Sequence, residues 1–261
     1  VACIQPEGLT EPFDCGLGRE RTERALADHA GRISVAAVNS TDSTVVSGER
    51  DAVEQLVAQL SARDPELFCK LVKVDVPAHS PVMDPLRGPL AEALADIRPR
   101  AAQIPLYSTV TGDVLEGDQL VADYWARNLR EPVRFAQATT QAIGDGLDTF
   151  VEVSPHPVLW DPLLELLAPH GPDGLALAST RREEPERAAL LRGLAALHVR
   201  GHAVRFEAVC PDGEPVSLPR YPWQNVRCWY ELADGERRAR PDKRLRASPA
   251  PAEPSSGDAA K

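Results

Sequence analysis

The sequence predicts an α/β protein, and three observations lead to this fold class. Short segments rich in Val and Ile alternate with longer segments whose apolar residues recur at helical spacing. Apolar residues make up 43% of the 261 residues, enough for a core in one large domain or two small ones. Aromatic residues make up only 5%, so we expect that core to be aliphatic.

The pattern over residues 16–76 predicts a partial ferredoxin-like subdomain. Residues 1–15 show no usable periodicity and are expected to be irregular. After them come a helix, two strands joined by the turn-forming residues 39–42, a second helix and a third strand. This order is a split βαβ arrangement that lacks its first strand. The predicted elements are 20–30, 33–38, 44–47, 51–60 and 68–76.

The segment 77–180 predicts a parallel sheet with helices on its faces, because strands and helices alternate along it. The strand at 149–153 is expected to be buried. The predicted helices are 82–97, 124–130, 135–143 and 157–167, and the predicted strands are 104–110, 149–153 and 175–179.

The last third of the chain predicts connecting segments rather than a further core. Residues 181–230 contain a predicted helix at 186–200, a short strand after Gly201 and a proline-rich extended piece. Residues 231–261 contain no Ile, Val, Phe or Met, so they cannot bury enough apolar surface to offset the entropy of ordering. We expect a disordered linker there.

Composition also excludes several kinds of partner. The 29 basic and 39 acidic residues give a net charge of −10, which argues against a nucleic-acid partner. No apolar run approaches the length of a membrane span, so no membrane partner is expected. The five cysteines are scattered without a ligand-like cluster, which predicts no metal site, no disulfide framework and a cytoplasmic setting. The N-terminus shows no signal-peptide pattern, and because the chain begins at Val1 without an initiator Met, we expect a sequence that is cut from a longer one or processed.

His79 is the strongest candidate for a catalytic group. It follows a predicted strand and precedes a predicted helix, and histidine side chains exchange a proton near neutral pH, as a general base must. The alternative is an exposed loop histidine without a role. A base needs a nucleophile, but the Gly-x-Ser-x-Gly elbow is absent. Ser80 is a poor substitute, because neighbouring side chains on extended backbone diverge.

A second candidate lies at the end of the predicted strand 149–153. There Ser-Pro-His-Pro-Val-Leu occupies residues 154–159, and strand ends of open parallel sheets face the ligand crevice. The alternative is a rigid turn with Pro157 as the first residue of a helix. Both interpretations stay open.

Six segments together resemble one known family, the acyltransferase domain of modular type I polyketide synthases. The resemblance runs from about residue 16 to 230 and covers the C-terminal part of that domain with its trailing linker. The segments, in order, are Ala-Ala-Val-Asn (36–39) with Val-Val-Ser-Gly (45–48), Ala-His-Ser-Pro-Val-Met (78–83), Tyr-Ser-Thr-Val-Thr-Gly (107–112), Tyr-Trp-Ala-Arg-Asn-Leu (124–129) with Pro-Val-Arg-Phe (132–135), Val-Glu-Val-Ser-Pro-His-Pro-Val-Leu (151–159), and Leu-Pro-Arg-Tyr-Pro-Trp-Gln (218–224) with Trp229.

The resemblance implies a fold and a reaction. Residues 77–180 would form part of a hydrolase-like large lobe, and 181–230 the linker that wraps back over it. A serine would take a malonyl-type group from acyl-CoA and pass it to the phosphopantetheine thiol of an acyl carrier protein. No tightly bound cofactor is implied, and a ketosynthase domain would be a neighbour. The resemblance places the general base at His79 and gives the backbone carbonyl of Asn128 the task of orienting its ring.

The resemblance also indicates residues around the substrate. Val76, Pro77 and Ala78 precede the histidine and would shape the pocket around the acyl group, where the small Ala78 leaves room for a methyl branch. His156 would lie near the active site.

This sequence departs from the family at the nucleophile. The family carries a Gly-His-Ser-x-Gly elbow, and an arginine that binds the acyl carboxylate, upstream of the histidine; neither occurs within residues 1–78. Because loss of a triad serine costs on the order of 10⁶ in turnover in subtilisin, the isolated chain is expected to be inactive. The alternatives are a non-catalytic scaffold that docks neighbouring synthase domains and a hydrolase that uses the same base with water.

Overall fold

A computed structural model of the chain describes residues 13–71, 76–209, 213, 216–219 and 221–223. The chain divides into two units after Arg205, each described by itself. The boundaries expected at 76/77 and 180/181 lie inside the first unit and stay predictions.

The helices are α1 Arg19–Ala25, α2 Arg50–Arg63, α3 Asp84–Ala93, α4 Ala122–Arg130, α5 Phe135–Gly144, α6 Trp160–Leu167 and α7 Glu186–Val199. The strands are β1 Phe13–Cys15, β2 Ile33–Val38, β3 Thr44–Gly48, β4 Cys69–Leu71, β5 Leu106–Ser108, β6 Asp113–Leu115, β7 Thr149–Glu152 and β8 Leu175–Ala178.

The N-terminal part of the first unit is a four-stranded antiparallel sheet in the order β2-β3-β1-β4. Its core combines strand residues with an apolar stripe of α2, formed by Val53, Leu56 and Leu60. The predicted hairpin of β2 and β3 is confirmed. Helix α1 ends five residues earlier than expected and is followed by a 3₁₀ turn, Ala27–His29.

The prediction that the first strand is lacking, with residues 1–15 irregular, is wrong for residues 13–15. These residues form β1, which lies at the centre of the sheet between β3 and β4. The segment 13–15 is too short to show the alternation that identifies a strand in a sequence. Only its pairing with β3 on one side and β4 on the other identifies it as a strand. The subdomain therefore has the complete βαββαβ order.

The region after β4 mixes strands and helices as predicted, but its strands form two separate pairs. β7 and β8 pair in parallel, whereas β5 pairs antiparallel with β6, a strand that the sequence analysis did not predict. The reversal occurs at Gly112, whose φ of +81° suits glycine and whose N–H donates to the Ser108 carbonyl at 2.7 Å. Strand β5 therefore covers only residues 106–108 of the predicted strand 104–110.

The strand expected to be buried at 149–153 is largely open. Val151 of β7 is 46% exposed and Val153 is 85% exposed. The physical reason is that β8 is its sole strand neighbour among the described residues, whereas parallel sheets normally bury both faces. Helix α3 is similarly open, since none of its residues is buried and Leu86 is 49% exposed.

In the second unit, the described residues include a 3₁₀ turn, Phe206–Ala208. The short strand expected after Gly201 is not seen in the described part of 202–209. The rings of Tyr221 and Trp223 meet edge to face at 5.0 Å. The predicted linker 231–261 and the motif residues Gln224 and Trp229 lie outside the described residues.

Two kinds of feature are absent from the described residues. None of their helices combines the length and the apolar character that crossing a membrane requires. Within the same residues, no group of three or more His, Cys, Asp or Glu side chains could hold a metal ion.

Cys15 provides a test of the small sheet. It is 1% exposed, its Sγ donates to the Thr44 carbonyl at 3.1 Å, and burial raises the pKa of the thiol. Because the thiolate is the reactive form, we expect iodoacetamide to modify Cys15 at least about 100-fold more slowly in the folded chain than in denaturant. Peptide mass spectrometry measures both rates, with the half-buried Cys69 on the facing strand as the internal control. Equal rates at the two thiols in the folded chain would show that β1 is not packed as described.

Candidate active site

His79 lies in the loop that leads into the 3₁₀ turn Pro81–Met83, and its backbone is left-handed, with φ of +62°. Such a φ is uncommon for a residue with a side chain. Three hydrogen bonds hold the residue. Its N–H donates to the Leu129 carbonyl at 3.0 Å, its carbonyl accepts from the Ser34 hydroxyl at 3.1 Å, and its ring Nδ1 lies 2.7 Å from the Glu131 carbonyl oxygen.

The Glu131 carbonyl determines what the imidazole can do. A carbonyl oxygen only accepts hydrogen bonds, so the contact assigns the proton to Nδ1. In the neutral ring, Nε2 then carries a free lone pair. The half-buried His79 ring is therefore arranged as a proton acceptor at Nε2, and the same carbonyl stabilises the imidazolium that proton transfer creates.

The family resemblance places the orienting carbonyl at Asn128, whereas in the structure the carbonyl next to the ring is that of Glu131. Asn128 lies in the last turn of α4, and the carbonyl that meets the imidazole Nδ1 is that of the residue three positions later. Glu131 follows the helix with an extended ψ of 152°, which turns its carbonyl out of the helical ladder. Pro132 is the sequence signal that could have identified it, because a residue before proline avoids helical backbone.

Two further contacts fix the position of Glu131. Its carboxylate forms a bidentate ion pair with Arg127, whose Nε donates to Oε1 at 2.7 Å and whose Nη2 donates to Oε2 at 3.2 Å. Two residues later, Val133 pairs with β2 by donating to the Ala36 carbonyl at 2.8 Å and accepting from Val38 at 2.9 Å. The orienting carbonyl is thus held between α4 and the small sheet.

The ion pair predicts a pH dependence of stability. The hydrogen-bonded Arg127 guanidinium lowers the pKa of Glu131 below its usual value of 4.5. The ion pair therefore stabilises the fold fully at pH values above 4.5, and this stabilisation is lost as the pH falls through the lowered pKa of the folded state. For an i,i+4 pair that is partly solvated, we expect about 0.5 kcal/mol. Urea unfolding of the chain and of Glu131→Gln at pH 7 and pH 3 measures it. We expect the two chains to converge at pH 3; a difference that stays constant between these pH values would contradict the ion pair.

Ser80 is positioned as a structural residue. It is fully buried, and its hydroxyl donates to the Pro77 carbonyl at 2.7 Å. This agrees with the expectation that Ser80 is not the nucleophile.

The three residues expected to shape the substrate pocket differ in accessibility. Val76 is 48% exposed and Ala78 is half-buried. Pro77 is fully buried and its carbonyl accepts the Ser80 hydroxyl, so it supports the loop from inside and cannot touch a substrate in this conformation.

His156 lies at the end of β7 in a tightly bonded turn. Its Nδ1 accepts from the Arg182 N–H at 3.4 Å, and its carbonyl accepts from Ser154 Oγ at 2.9 Å. The Glu152 carboxylate, which the sequence analysis missed, binds the N–H groups of Val158 and Leu159 at 2.8 and 3.1 Å. Residues 154–159 therefore form a hydrogen-bonded turn, but the prediction that Pro157 is the first residue of a helix is wrong, because α6 begins at Trp160. A position of His156 near the substrate stays a prediction.

A cleft of about 350 Å³ lies between α1, β2 and the segment after α4. It adjoins the His79 loop, because Ser34 lines it and also binds the His79 carbonyl. Arg19, Arg130 and Arg134 line it as well, with Glu23 as the acidic residue among them. Two of these arginines are paired with carboxylates, Arg19 with Glu23 at 2.8 Å and Arg130 with Asp84 at 2.9 Å, whereas Arg134 donates to the Thr111 carbonyl at 3.3 Å.

Comparisons with known proteins agree on one family. The sequence profile described as "Acyl transferase domain" matches residues 14–204. The polyketide synthase GfsB of Streptomyces halstedii is 40% identical over 220 residues, which are 84% of this chain and 4% of GfsB. The erythronolide synthase EryA2 of Saccharopolyspora erythraea is 38% identical over 219 residues, 83% of this chain and 6% of EryA2.

A solved structure shows the same fold. The acyltransferase domain from module 8 of the salinomycin polyketide synthase superposes with a TM-score of 0.71 at 34% identity. The match covers 76% of this chain and 46% of that domain's chain. The chain thus spans less than half of the solved domain and a small fraction of each synthase.

Proposed function

Because the chain belongs to the acyl transferase domain family of modular polyketide synthases, we propose that it supplies the general base of an acyl transfer reaction. The observation that carries the proposal is the hydrogen bond from His79 Nδ1 to the Glu131 carbonyl at 2.7 Å. It leaves Nε2 as the proton acceptor on a loop beside an arginine-lined cleft.

The reaction proceeds in two matched halves. His79 Nε2 takes the proton of a serine hydroxyl while that oxygen attacks the thioester carbonyl of a malonyl-type acyl-CoA. The tetrahedral intermediate then collapses and expels the coenzyme A thiolate, which takes the proton back from the imidazolium. In the second half, the phosphopantetheine thiol of an acyl carrier protein gives its proton to Nε2 and attacks the serine ester. The serine leaves and recovers the proton.

We place the attacking serine outside the described residues, because the sequence has no Gly-x-Ser-x-Gly elbow and no described serine hydroxyl is hydrogen-bonded to the His79 ring. Ser80 is buried, and the Ser34 hydroxyl binds the backbone carbonyl of His79 rather than its ring. The exposed apolar residues of α3 and β7 support this proposal, because a two-stranded parallel sheet such as β7 and β8 normally lies inside a larger sheet with both faces covered. A serine-bearing segment packed there would complete the site.

The pocket and the cleft suggest how substrates are selected. Val76 and Ala78 are accessible, and the short Ala78 side chain leaves room for a methyl branch on the acyl group. Arg134, which lines the cleft and donates to a neutral backbone carbonyl, is the arginine proposed to attract the phosphates of acyl-CoA and of the phosphopantetheine arm of an acyl carrier protein. A neighbouring ketosynthase domain completes the proposed setting.

The test joins residues 14–204 to the serine-elbow segment of a related acyltransferase domain and supplies radiolabelled malonyl-CoA or methylmalonyl-CoA with an acyl carrier protein. We expect label on the elbow serine and then on the carrier protein, and no label on the isolated chain. A serine-to-alanine variant of the elbow is the matched control.

Three results would contradict the proposal. Label on a serine of the isolated chain would place the nucleophile within this sequence. Release of free acid without carrier loading would indicate a hydrolase. A joined domain that folds but takes no label would favour the non-catalytic scaffold.

A further inference from the structure

We propose that Ser34 is a positioning residue that holds the His79 imidazole in its base-competent orientation from the side of the small sheet. The inference rests on the proposed role of His79 and adds a residue to it. Ser34 Oγ donates to the His79 carbonyl at 3.1 Å across 45 residues of sequence, and the Ser47 carbonyl is a second, longer acceptor contact of the same hydroxyl at 3.5 Å.

The need for such a contact follows from the backbone of His79. A left-handed conformation of a residue with a side chain persists only where its surroundings over-determine it. Two of its three hydrogen bonds come from the end of α4, through the carbonyls of Leu129 and Glu131. Ser34 acts on the remaining polar group, the carbonyl, from a different element. It therefore fixes the peptide plane that follows His79 and restrains the backbone from which the ring projects toward the Glu131 carbonyl.

Ser34 is itself rigidly placed. It lies in β2, directly opposite Ser47 of β3. Its neighbour Ile33 lies in the core with Val46, so alternation along the strands turns Ser34 and Ser47 to the face away from the helices. That is the face against which the His79 loop packs. A polar residue inside the apolar run 33–38 was the sequence signal for this role.

The paired serine provides a matched control. Ser47 is fully buried, and its hydroxyl finds no hydrogen-bond partner among the described residues. Removing the Ser47 hydroxyl thus changes the same strand pair without breaking a hydrogen bond to the His79 loop. The Ser34 hydroxyl is hydrogen-bonded to His79 and the Ser47 hydroxyl is not, which is the difference that the proposal depends on.

The experiment uses the full 261-residue chain labelled with ¹⁵N-histidine. Side-chain ¹⁵N shifts of His79 report which ring nitrogen carries the proton, and hydrogen exchange reports how well its backbone N–H is held by Leu129. In Ser34→Ala we expect the population of the Nε2-protonated tautomer and the exchange rate of the His79 N–H each to rise roughly two- to tenfold, the effect of one net hydrogen bond. Ser47→Ala should leave both unchanged.

A second pair of variants separates positioning from folding. Ser34→Thr retains the hydroxyl, whereas Ser34→Val has the same branched shape as threonine with a methyl group in place of the hydroxyl. Both threonine and valine are favoured in strands. We expect Thr to restore both His79 signals and Val to reproduce the alanine result. In the joined domain, Ser34→Val should lower kcat/KM roughly two- to tenfold relative to Ser34→Thr and shift the pH profile.

Either of two results would overturn the proposal. One is an unchanged tautomer and exchange rate in both Ser34→Ala and Ser34→Val; the other is an equal change in Ser47→Ala. The spectroscopic measurements need no acyl transfer, so a failure of the proposed reaction and a failure of this positioning role give different results.

Discussion

Replacing His79 with asparagine is expected to lower kcat/KM of acyl transfer in the joined domain by at least about 10³-fold, because the general base is lost. Asparagine tolerates left-handed backbone, and its amide can still donate to the Glu131 carbonyl. The chain should therefore keep its fold. The measurement is the rate of carrier-protein loading, together with the urea unfolding of the 261-residue chain.

The control applies the same change elsewhere. His170 is exposed at the end of a 3₁₀ turn, and His170→Asn should keep the rate within about twofold of the parent, as surface substitutions do. If His79→Asn retained more than about a tenth of the parent rate, the ring would not be the base. If it unfolded the chain, the rate would have to be compared with that of His79→Gln.

The largest expected effect on stability is at Gly48, the last residue of β3. A Cβ at this position would lie 2.1 Å from the Arg32 carbonyl oxygen and 2.6 Å from Ile33 Cα. Both are backbone atoms that cannot rotate away, so the hairpin of β2 and β3 must separate to admit a methyl group. We expect Gly48→Ala to lower the free energy of unfolding by about 3 kcal/mol, at the upper end of overpacking costs. Urea unfolding followed by circular dichroism measures this change.

Gly88 is the matched control for that substitution. It lies in α3, where a Cβ would meet no atom within 4 Å, and Gly88→Ala should be neutral or stabilise the chain by up to about 1 kcal/mol. A Gly48→Ala chain as stable as Gly88→Ala would show that β2 and β3 do not approach as closely as described. Because β2 carries Ser34, the same substitution should also disturb the His79 ring signals.

Much of the fold was predictable because it depends on local pattern. The hairpin of β2 and β3 follows from two Val-rich runs around the turn residues 39–42, and α2 follows from its apolar stripe of Val53, Leu56 and Leu60. The strands β1 and β6 were not predicted, since each is a three-residue segment outside a longer apolar run, unlike β4 and β5, and pairs with a neighbouring strand that only the fold brings beside it.

The sequence by itself determined that an imidazole lies between a strand and a helix at position 79, and which family its surroundings resemble. Only the tertiary structure decided which groups hold that imidazole, namely the carbonyl of Glu131 and the hydroxyl of Ser34. The physical reason is that every residue carries a backbone carbonyl. Residue identity therefore cannot show which of them meets the ring, and that choice depends on how α4 ends and how the small sheet docks beside it.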